Sequence, residues 1–249
     1  MNGSDHIDFK CFAVIVAGGK GLRMASDQRK QYMALEGIPV LVRTLQVFDR
    51  HPRVDEIILV VPEKDLAFCR DILIRPYKIS TPFYMVPGGV TRQDSVSNGL
   101  ARAEALSDNH AQNLVLVHDG VRPFIRKTLV DDCLDNAGQT GACIPALQMT
   151  DTVKESLDGE QIAETLDRQV LYRAQTPQVF RLDLILSAFA HAKKSNFTGT
   201  DDASILEHAG IPVHLVPGDM FNIKLTTPSD LVMAKFLLDR KDSDRSDDI

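Results

Sequence analysis

Short runs of apolar residues recur along the chain, and longer amphipathic stretches separate them. The runs predict strands at 12–17, 56–61, 83–87, 113–118, 142–147 and 213–216. Several runs are apolar at every position, as is typical of strands buried on both faces of a parallel sheet. The amphipathic stretches predict helices near 40–50, 64–75, 93–106, 127–138, 182–194, 201–209 and 228–238. This alternation predicts an α/β fold: a Rossmann-like, mostly parallel sheet with helices on both faces.

The length of 249 residues suits a single large domain, which we place at 11–238. The polar segments 1–10 and 239–249 are expected to be flexible tails. No apolar run approaches the ~20 residues of a membrane-spanning helix, and the first residues do not resemble a secretory signal. We therefore expect a cytoplasmic protein that does not bind membranes.

The four cysteines and the net charge narrow the possible environment and partners. Cys11, Cys69, Cys133 and Cys143 show no C-x-x-C spacing, which predicts buried free thiols in a reducing compartment. The formal net charge of −6 argues against non-specific binding to nucleic acid, because such binding needs a basic surface.

A glycine-rich loop, residues 17–23, directly follows the first predicted strand. Glycines at this place let backbone amides approach an anion, and the carboxyl ends of strands are where open α/β sheets bind ligands. Met24 stands where a dinucleotide fingerprint needs its third glycine, and Gly21 stands where a Walker A motif needs Ser or Thr. Arg23 and Lys30 suit a phosphate chain that gains charge during a reaction. The alternative is a glycine turn with two solvated cations.

A second charged cluster, residues 118–123, follows another apolar strand. Asp119 could orient a hydroxyl group or approach a metal ion, and Arg122 could bind a phosphate in bidentate fashion. The two could instead form a local ion pair in a turn. We interpret His118 as a packing residue at the end of the strand.

Three further segments carry polar residues or glycines beside predicted strands, namely 87–95, 173–178 and 222–224. The segment 200–203 is interpreted first as a helix N-terminus, where acidic residues are favoured. Arg23, Lys30, Arg122 and Lys224 are distant in sequence but all fall at or just after one edge of the predicted sheet. Together with two glycine loops, they predict a site for a nucleoside triphosphate and a second phosphate.

The segment 150–170 interrupts the alternation of strands and helices. It is polar, and Asp158-Gly159 between two strand-like arms predicts a hairpin turn. Such a hairpin is either a flexible surface loop or a projection that packs on another subunit. The sequence alone favours the loop.

Several motifs in a fixed order carry a resemblance over about residues 11–238: AGGKGLRM, KQY, GGVTRQDSVSNGL, VHDGVRPF, DTV, LDR, RAQTPQVF, TDDASILE and NIKLTTPSDL. In these motifs the chain resembles the 2-C-methyl-D-erythritol 4-phosphate cytidylyltransferases. The resemblance implies that CTP, accompanied by Mg²⁺, is joined to the phosphate of a polyol with release of pyrophosphate.

The resemblance also implies roles for individual residues. The catalytic cations are Arg23, Lys30 and Lys224. The nucleotide-binding residues are Ala17, Gly18, Gly19, Gly21, Gly89, Ser95, Asp119 and Gly120. The substrate-binding residues are Asp119, Arg122, Thr152, Arg168 and Thr176, and Asp119 is also a candidate metal ligand. Thr152 and Arg168 match residues of an arm that reaches the neighbouring subunit's site, which implies a homodimer through 150–170.

Two positions depart from the family pattern. Arg29 stands where a small residue is common, and Val90 stands where many members carry an acidic residue.

Three alternative functions remain open. A ribitol 5-phosphate cytidylyltransferase would share the glycine loop and the VRPF, QTPQ and NIK motifs. A nicotinamide-dependent oxidoreductase and a non-catalytic nucleotide-binding module could be built on the same kind of sheet.

Overall fold

The computed structural model describes residues 9–18 and 30–244. Within these residues the strands are β1 (Cys11–Val16), β2 (Ala34–Leu35), β3 (Ile38–Pro39), β4 (Glu56–Val61), β5 (Phe83–Pro87), β6 (Leu114–Asp119), β7 (Ala142–Gln148), β8 (Val153–Glu155), β9 (Glu164–Leu166), β10 (Tyr172–Ala174), β11 (Gln178–Arg181) and β12 (His214–Pro217). The helices are α1 (Val40–Asp49), α2 (Leu66–Phe68), α3 (Arg92–Leu106), α4 (Lys127–Thr140), α5 (Leu182–Lys194), α6 (Asp202–His208) and α7 (Pro228–Asp244).

Eight of the described strands form a mixed, mostly parallel sheet. β1 lies at its centre and pairs in parallel with β4 on one side and β6 on the other, and β5 extends the sheet beyond β4. On the other side β11 lies antiparallel between β6 and β7, β10 also pairs antiparallel with β7, and β12 pairs with β7 in parallel. The predicted α/β architecture is therefore confirmed.

Helices cover both faces of the sheet because successive residues of the buried strands point in opposite directions. Ala13 and Ile15 of β1 pack in one apolar cluster with α1 and α4. Phe12 and Val14 pack in a second cluster with α3, α5 and α6. A third, smaller cluster joins α7 to β2, Phe124 and Leu225.

The six predicted strands and the predicted helices are all present, with shifts at some ends. The helix predicted near 64–75 is an irregular sequence of short turns around α2, with a π-helical turn at Cys69–Ile74. The last helix ends at Asp244, so residues 239–244 belong to α7 and not to a tail. Phe9 packs against the core and Lys10 pairs with Glu56.

The sequence did not predict β10 and β11. Their segment is largely polar, and it contains Pro177, which an interior strand does not favour. β11 is nevertheless buried at Gln178, Val179 and Phe180, because it fills the space between β6 and β7.

The segment 150–170 contains the predicted hairpin. β8 and β9 pair antiparallel, and the loop that joins them contains Asp158 and Gly159. Gly159 has a φ of +80°, which favours glycine, and Asp158 accepts hydrogen bonds from the amides of Glu160 and Gln161. The turn prediction is confirmed.

All four cysteines are buried and free, as predicted. No helix in the part of the chain that the structure describes is both long and apolar enough to cross a membrane.

Candidate active site

Several described residues of the predicted site lie at the carboxyl ends of the parallel strands. Asp119, the last residue of β6, is in register with Val16, the last residue of β1. Ala17 and Gly18 follow β1 at the same edge, and Gly88 follows β5.

The start of the first glycine loop is fixed by two hydrogen bonds. The Ala17 amide donates to the Val60 carbonyl over 2.8 Å, and the buried side chain of Gln31 donates from Nε2 to the Ala17 carbonyl over 2.7 Å. Gln31 thereby joins the loop to the helical turn that begins at Lys30. Only the backbone of Lys30 is described, and Gly19, Gly21, Arg23 and Arg29 lie outside the described residues.

The second glycine loop is organised around the hydroxyl group of Ser95. Ser95 Oγ accepts a hydrogen bond from the Gly89 amide at 3.1 Å and donates to the Thr91 carbonyl at 2.9 Å. A Cβ atom on Gly18 would lie 3.3 Å from Ser95 Oγ, so Gly18 and the second glycine loop meet at this side chain. A Cβ atom on Gly89 would overlap Asp94. The structure thus brings Gly18, Gly89 and Ser95 together.

Asp119 lies at the centre of a group of cations. Its Oδ2 is 2.7 Å from Lys224 Nζ and 3.7 Å from Arg122 Nε, and its Oδ1 is 3.6 Å from Arg92 Nε. Burial opposes ionisation of Asp119, but the attraction of Lys224, Arg92 and Arg122 outweighs it and holds the pKa of the carboxyl well below its usual range. Asp119 is therefore a carboxylate at neutral pH.

The segment that carries Lys224 is held against the segment after β6. The Leu225 amide donates to the Val121 carbonyl at 2.9 Å, and an Arg122 terminal nitrogen donates to the Asn222 carbonyl at 2.7 Å. Asn222, which is fully buried, donates from Nδ2 to the Thr176 carbonyl at 2.7 Å. These bonds explain how residues 100 positions apart meet at one point.

Gly120 has a packing reason to be glycine. A Cβ atom there would lie 2.9 Å from Leu41 Cδ1 and 3.1 Å from Ala17 Cβ. Its amide donates to the Val16 carbonyl, and its carbonyl accepts from Thr44 Oγ1. The close approach keeps Asp119 beside the first glycine loop.

Arg92 is a member of the cluster that the sequence motifs did not single out. It is the first residue of α3, directly after the second glycine loop. This position in the sequence could have indicated that Arg92 belongs to the site. Besides facing Asp119, it forms two hydrogen bonds with the fully buried carboxylate of Asp202.

Asp202 begins α6, and Asp201 is the N-cap of that helix, as expected for the segment 200–203. The side-chain oxygen of Gln178 accepts hydrogen bonds from the amides of Asp202 and Ala203. Its Nε2 donates a hydrogen bond to Asp201 Oδ2. The helix N-terminus is therefore connected to β11 as well as to Arg92.

His118 does have hydrogen-bond partners, which corrects the interpretation that it only packs. Its Nδ1 lies 3.0 Å from Thr176 Oγ1 and its Nε2 lies 3.0 Å from the Arg122 carbonyl oxygen. Burial lowers the pKa of His118 to about 4, so the ring is neutral at physiological pH. The ring also packs edge-on against Phe48.

Thr152 and Arg168 lie apart from this cluster, on the exposed hairpin. Arg168 donates to the Thr150 carbonyl at 2.6 Å. Across residues 9–18 and 30–244, neither side chain forms a hydrogen bond or ion pair with the Asp119 cluster of its own chain.

The described residues do not form a metal centre by themselves. They contain no group of three or more His, Cys, Asp or Glu side chains placed to hold a metal ion. The two oxygens of Asp119 face three cations, which is an unfavourable setting for a direct metal ligand. The donor set therefore does not fit a resident metal ion.

The fold and the site together define a class of protein. A mostly parallel sheet that gathers Gly18, the second glycine loop and several cations at its carboxyl edge is typical of an α/β enzyme site for phosphorylated ligands.

Comparison with known proteins identifies the family. A protein-family model described as 2-C-methyl-D-erythritol 4-phosphate cytidylyltransferase matches residues 11–240 of this chain. The protein of that name from Syntrophus aciditrophicus (strain SB) is 43% identical over 233 residues, covering 94% of this chain and 97% of that protein. The one from Bacillus licheniformis is 43% identical over 226 residues, covering 91% and 94%.

A solved structure supports the same conclusion. The crystal structure of 4-diphosphocytidyl-2C-methyl-D-erythritol synthase from Anaerococcus prevotii is 35% identical, with a TM-score of 0.78, and the match covers 93% of this chain and 96% of that one. This chain belongs to the 2-C-methyl-D-erythritol 4-phosphate cytidylyltransferase family and is a nucleotidyltransferase. The oxidoreductase and the non-catalytic module are therefore set aside.

Proposed function

We propose that this chain joins CTP to 2-C-methyl-D-erythritol 4-phosphate, giving 4-diphosphocytidyl-2-C-methyl-D-erythritol and pyrophosphate in non-mevalonate isoprenoid biosynthesis. The observation that carries the proposal is the cluster of Lys224, Arg122 and Arg92 around Asp119, beside the start of the first glycine loop and the second glycine loop. It supplies cations for phosphates and a hydrogen-bond acceptor for hydroxyl groups at one edge of the sheet.

The reaction transfers a nucleotidyl group without a covalent enzyme intermediate. An oxygen of the polyol phosphate attacks the α-phosphorus of CTP, a new P–O bond forms, and the bond to the β-phosphate breaks to release pyrophosphate. The attacking phosphate is already an anion at neutral pH, so no strong general base is needed. Catalysis then consists of positioning and of stabilising the charge that develops.

Lys224 is suited to contact the attacking phosphate. An ammonium group has three N–H donors, and the ion pair with Asp119 uses one of them. The Lys224 side chain is 42% exposed, so its remaining donors can reach a ligand. Arg23 and Lys30 are assigned to the triphosphate, and the contacts of Gln31 support this by holding the Lys30 turn against the first glycine loop.

Asp119, Arg122 and Thr176 are assigned to the polyol. The Asp119 carboxylate accepts hydrogen bonds from hydroxyl groups, and Arg122 and Thr176 lie next to it. Mg²⁺ is expected to enter as part of the CTP substrate, held by phosphate oxygens. We assign Ala17, Gly18, Gly19, Gly21, Gly89, Ser95, Asp119 and Gly120 to the nucleotide.

The hairpin is assigned to a homodimer interface. Leu157, Ile162, Val170 and Tyr172 are large apolar side chains that are exposed on or beside it. Exposed apolar groups on a projecting element are suited to packing on a second copy of the chain. Thr152 and Arg168 would then complete the substrate site of the partner subunit, and the protein would work as a cytoplasmic homodimer.

The test is CTP-dependent release of pyrophosphate with a panel of polyol phosphates. We expect the highest kcat/KM with 2-C-methyl-D-erythritol 4-phosphate and weak activity with ribitol 5-phosphate. Replacement of CTP by ATP, GTP or UTP is the control for the nucleotide. A preference for ribitol 5-phosphate would contradict the proposed substrate.

A further inference from the structure

His118 is a fully buried imidazole between two groups that the proposed function places at the polyol. Its Nε2 lies 3.0 Å from the Arg122 carbonyl oxygen, and its Nδ1 lies 3.0 Å from Thr176 Oγ1. The same Thr176 oxygen is 3.2 Å from the Asp119 amide. One ring therefore contacts both the turn after β6 and the segment that leads into β11.

The directions of these hydrogen bonds follow from chemistry. A carbonyl oxygen can only accept, so Nε2 of His118 must carry a hydrogen and donate to Arg122. A neutral imidazole has only one N–H group, so Nδ1 is an acceptor and the Thr176 hydroxyl donates to it. The Asp119 amide then donates to the Thr176 oxygen.

This arrangement uses the only hydrogen of the Thr176 hydroxyl group. The oxygen has two lone pairs, and the Asp119 amide occupies one of them. Toward a ligand, Thr176 can therefore offer a lone pair but no proton. The neighbouring Asp119 carboxylate also offers only lone pairs.

We propose that His118 is a positioning residue that fixes the Thr176 hydroxyl as a hydrogen-bond acceptor, so that the site selects a polyol phosphate whose hydroxyl group donates at this position. The inference deepens the proposed function and rests on its assignment of Thr176 to the polyol. It adds a direction to that contact. A carbonyl, ether or fluorine at the same position of the substrate would find no hydrogen-bond donor on Thr176 or on the Asp119 carboxylate.

A substrate group that cannot donate a hydrogen bond to Thr176 loses binding free energy, and this loss is the basis of the selection. Two acceptor atoms that face each other without a hydrogen between them repel each other, whereas a hydroxyl group that donates forms a hydrogen bond to Thr176. The ring fixes this polarity because its other nitrogen is bound to a backbone carbonyl, which cannot reverse its role.

The first experiment tests the tautomer in the unmodified protein. Nitrogen NMR of histidine-labelled protein at neutral pH distinguishes an imidazole protonated at Nε2 from one protonated at Nδ1. Assignment uses His118→Asn, which removes the signal. We expect the Nε2–H form for His118, and the Nδ1–H form or a charged ring would overturn the inference whatever the substrate is.

The second experiment tests the direction of the contact with the ligand. Each hydroxyl group of 2-C-methyl-D-erythritol 4-phosphate is replaced in turn by hydrogen and by fluorine, which accepts weakly and cannot donate. At the position that faces Thr176 we expect both analogues to lose about tenfold or more in kcat/KM. A fluorinated analogue that keeps full activity where the deoxy analogue fails would overturn the inference.

Variants separate this inference from the proposed function. In Thr176→Val the penalty for one deoxy analogue should disappear, while Thr176→Ser should retain it. His118→Phe should raise the KM for the polyol phosphate about tenfold and leave the KM for CTP unchanged, and His118→Asn, whose Oδ1 can accept from Thr176, should recover part of this loss. Equal losses for both substrates would show a merely structural role. Absence of turnover with every polyol phosphate would instead contradict the proposed function.

Discussion

Arg92 and Asp202, which are 110 positions apart in sequence, form a bidentate ion pair that joins the first turns of α3 and α6. The two bonds measure 3.0 and 2.8 Å. Asp202 is fully buried, whereas the Arg92 side chain is 32% exposed and also faces Asp119. The pair therefore connects the cation cluster to the helical layer on one face of the sheet.

This difference in burial predicts unequal effects of removing the two partners. Arg92→Met leaves a buried carboxylate without its cation and should cost roughly 3–5 kcal/mol in the free energy of unfolding. Asp202→Asn leaves a partly exposed guanidinium that can still reach Asp119, so it should cost less. Urea unfolding of both variants at neutral pH measures which of them loses more free energy of unfolding. A larger loss for Asp202→Asn would contradict this account.

Lys224 should contribute to turnover more than to stability. Its ammonium group is partly exposed, and Asp119 keeps Arg92 and Arg122 when Lys224 is removed, so Lys224→Met should unfold near the wild-type urea concentration. We assign Lys224 to the reacting phosphate, so its loss should lower kcat/KM by about 10²–10³-fold. Lys224→Arg keeps the charge and is the matched control. Wild-type kinetics of Lys224→Met would remove Lys224 from the reaction.

Arg23 and Lys30 are expected to stabilise the charge that develops on the triphosphate. Arg23→Ala and Lys30→Ala should each lower turnover at least ~100-fold, the scale for losing a charge partner in the transition state. Circular dichroism checks that each variant is folded, and Lys30→Arg tests whether charge alone suffices. A folded alanine variant with near wild-type rates would show that its assignment is wrong.

His118 should make the protein sensitive to mild acid. Its pKa is about 4 in the folded chain against 6.5 as the ordinary value, so the unfolded chain binds the extra proton first as the pH falls. The stabilisation is complete above pH 6.5 and is lost progressively toward pH 4, by about 3 kcal/mol in total. Asp119, Arg122 and Lys224 are the charged groups that act on the ring.

Urea unfolding between about pH 7 and pH 4.5 measures this loss. Burial also lowers the pKa of His51, which contributes in the same direction. The contribution of His118 is therefore the difference between the wild type and His118→Asn, whose stability should fall less steeply over this range. Parallel pH profiles of the two proteins would contradict the prediction.

The hairpin predicts complementation between defective subunits. Arg168→Ala should impair turnover without unfolding the chain, because its side chain is exposed. If Arg168 acts in the partner's site, co-expression with Lys224→Met gives heterodimers in which one site has both wild-type residues. Activity well above that of either parent is expected. Activity no higher than the parents would place Arg168 and Lys224 in the same subunit's site.

The sequence was sufficient to predict the strands that consist of apolar residues. β1, β4 and β6 are central strands, and burial on both faces leaves a continuous apolar run. β11 could not be found in this way, because its neighbours are polar and Pro177 interrupts the segment. Its burial depends on the gap between β6 and β7, which is a property of the assembled sheet.

The same distinction applies to the site. Asp119 could be predicted because a parallel strand places the residue at its carboxyl end at the ligand edge. Thr176 precedes its strand, and only the antiparallel direction of β11 brings it to that edge. Thr176, the side-chain partner of His118, lies 58 residues away, so no local pattern could indicate this contact.

The position of β11 also affects how the chain is made. β6 ends at Asp119, but the strand that covers its second edge is complete only at Arg181. During synthesis, the nascent chain therefore carries an open sheet edge at β6 until β11 has emerged, and the cation cluster is completed only when Lys224 has left the ribosome. An unpaired edge favours association between chains, so fragments released before β11 has been made are expected to aggregate.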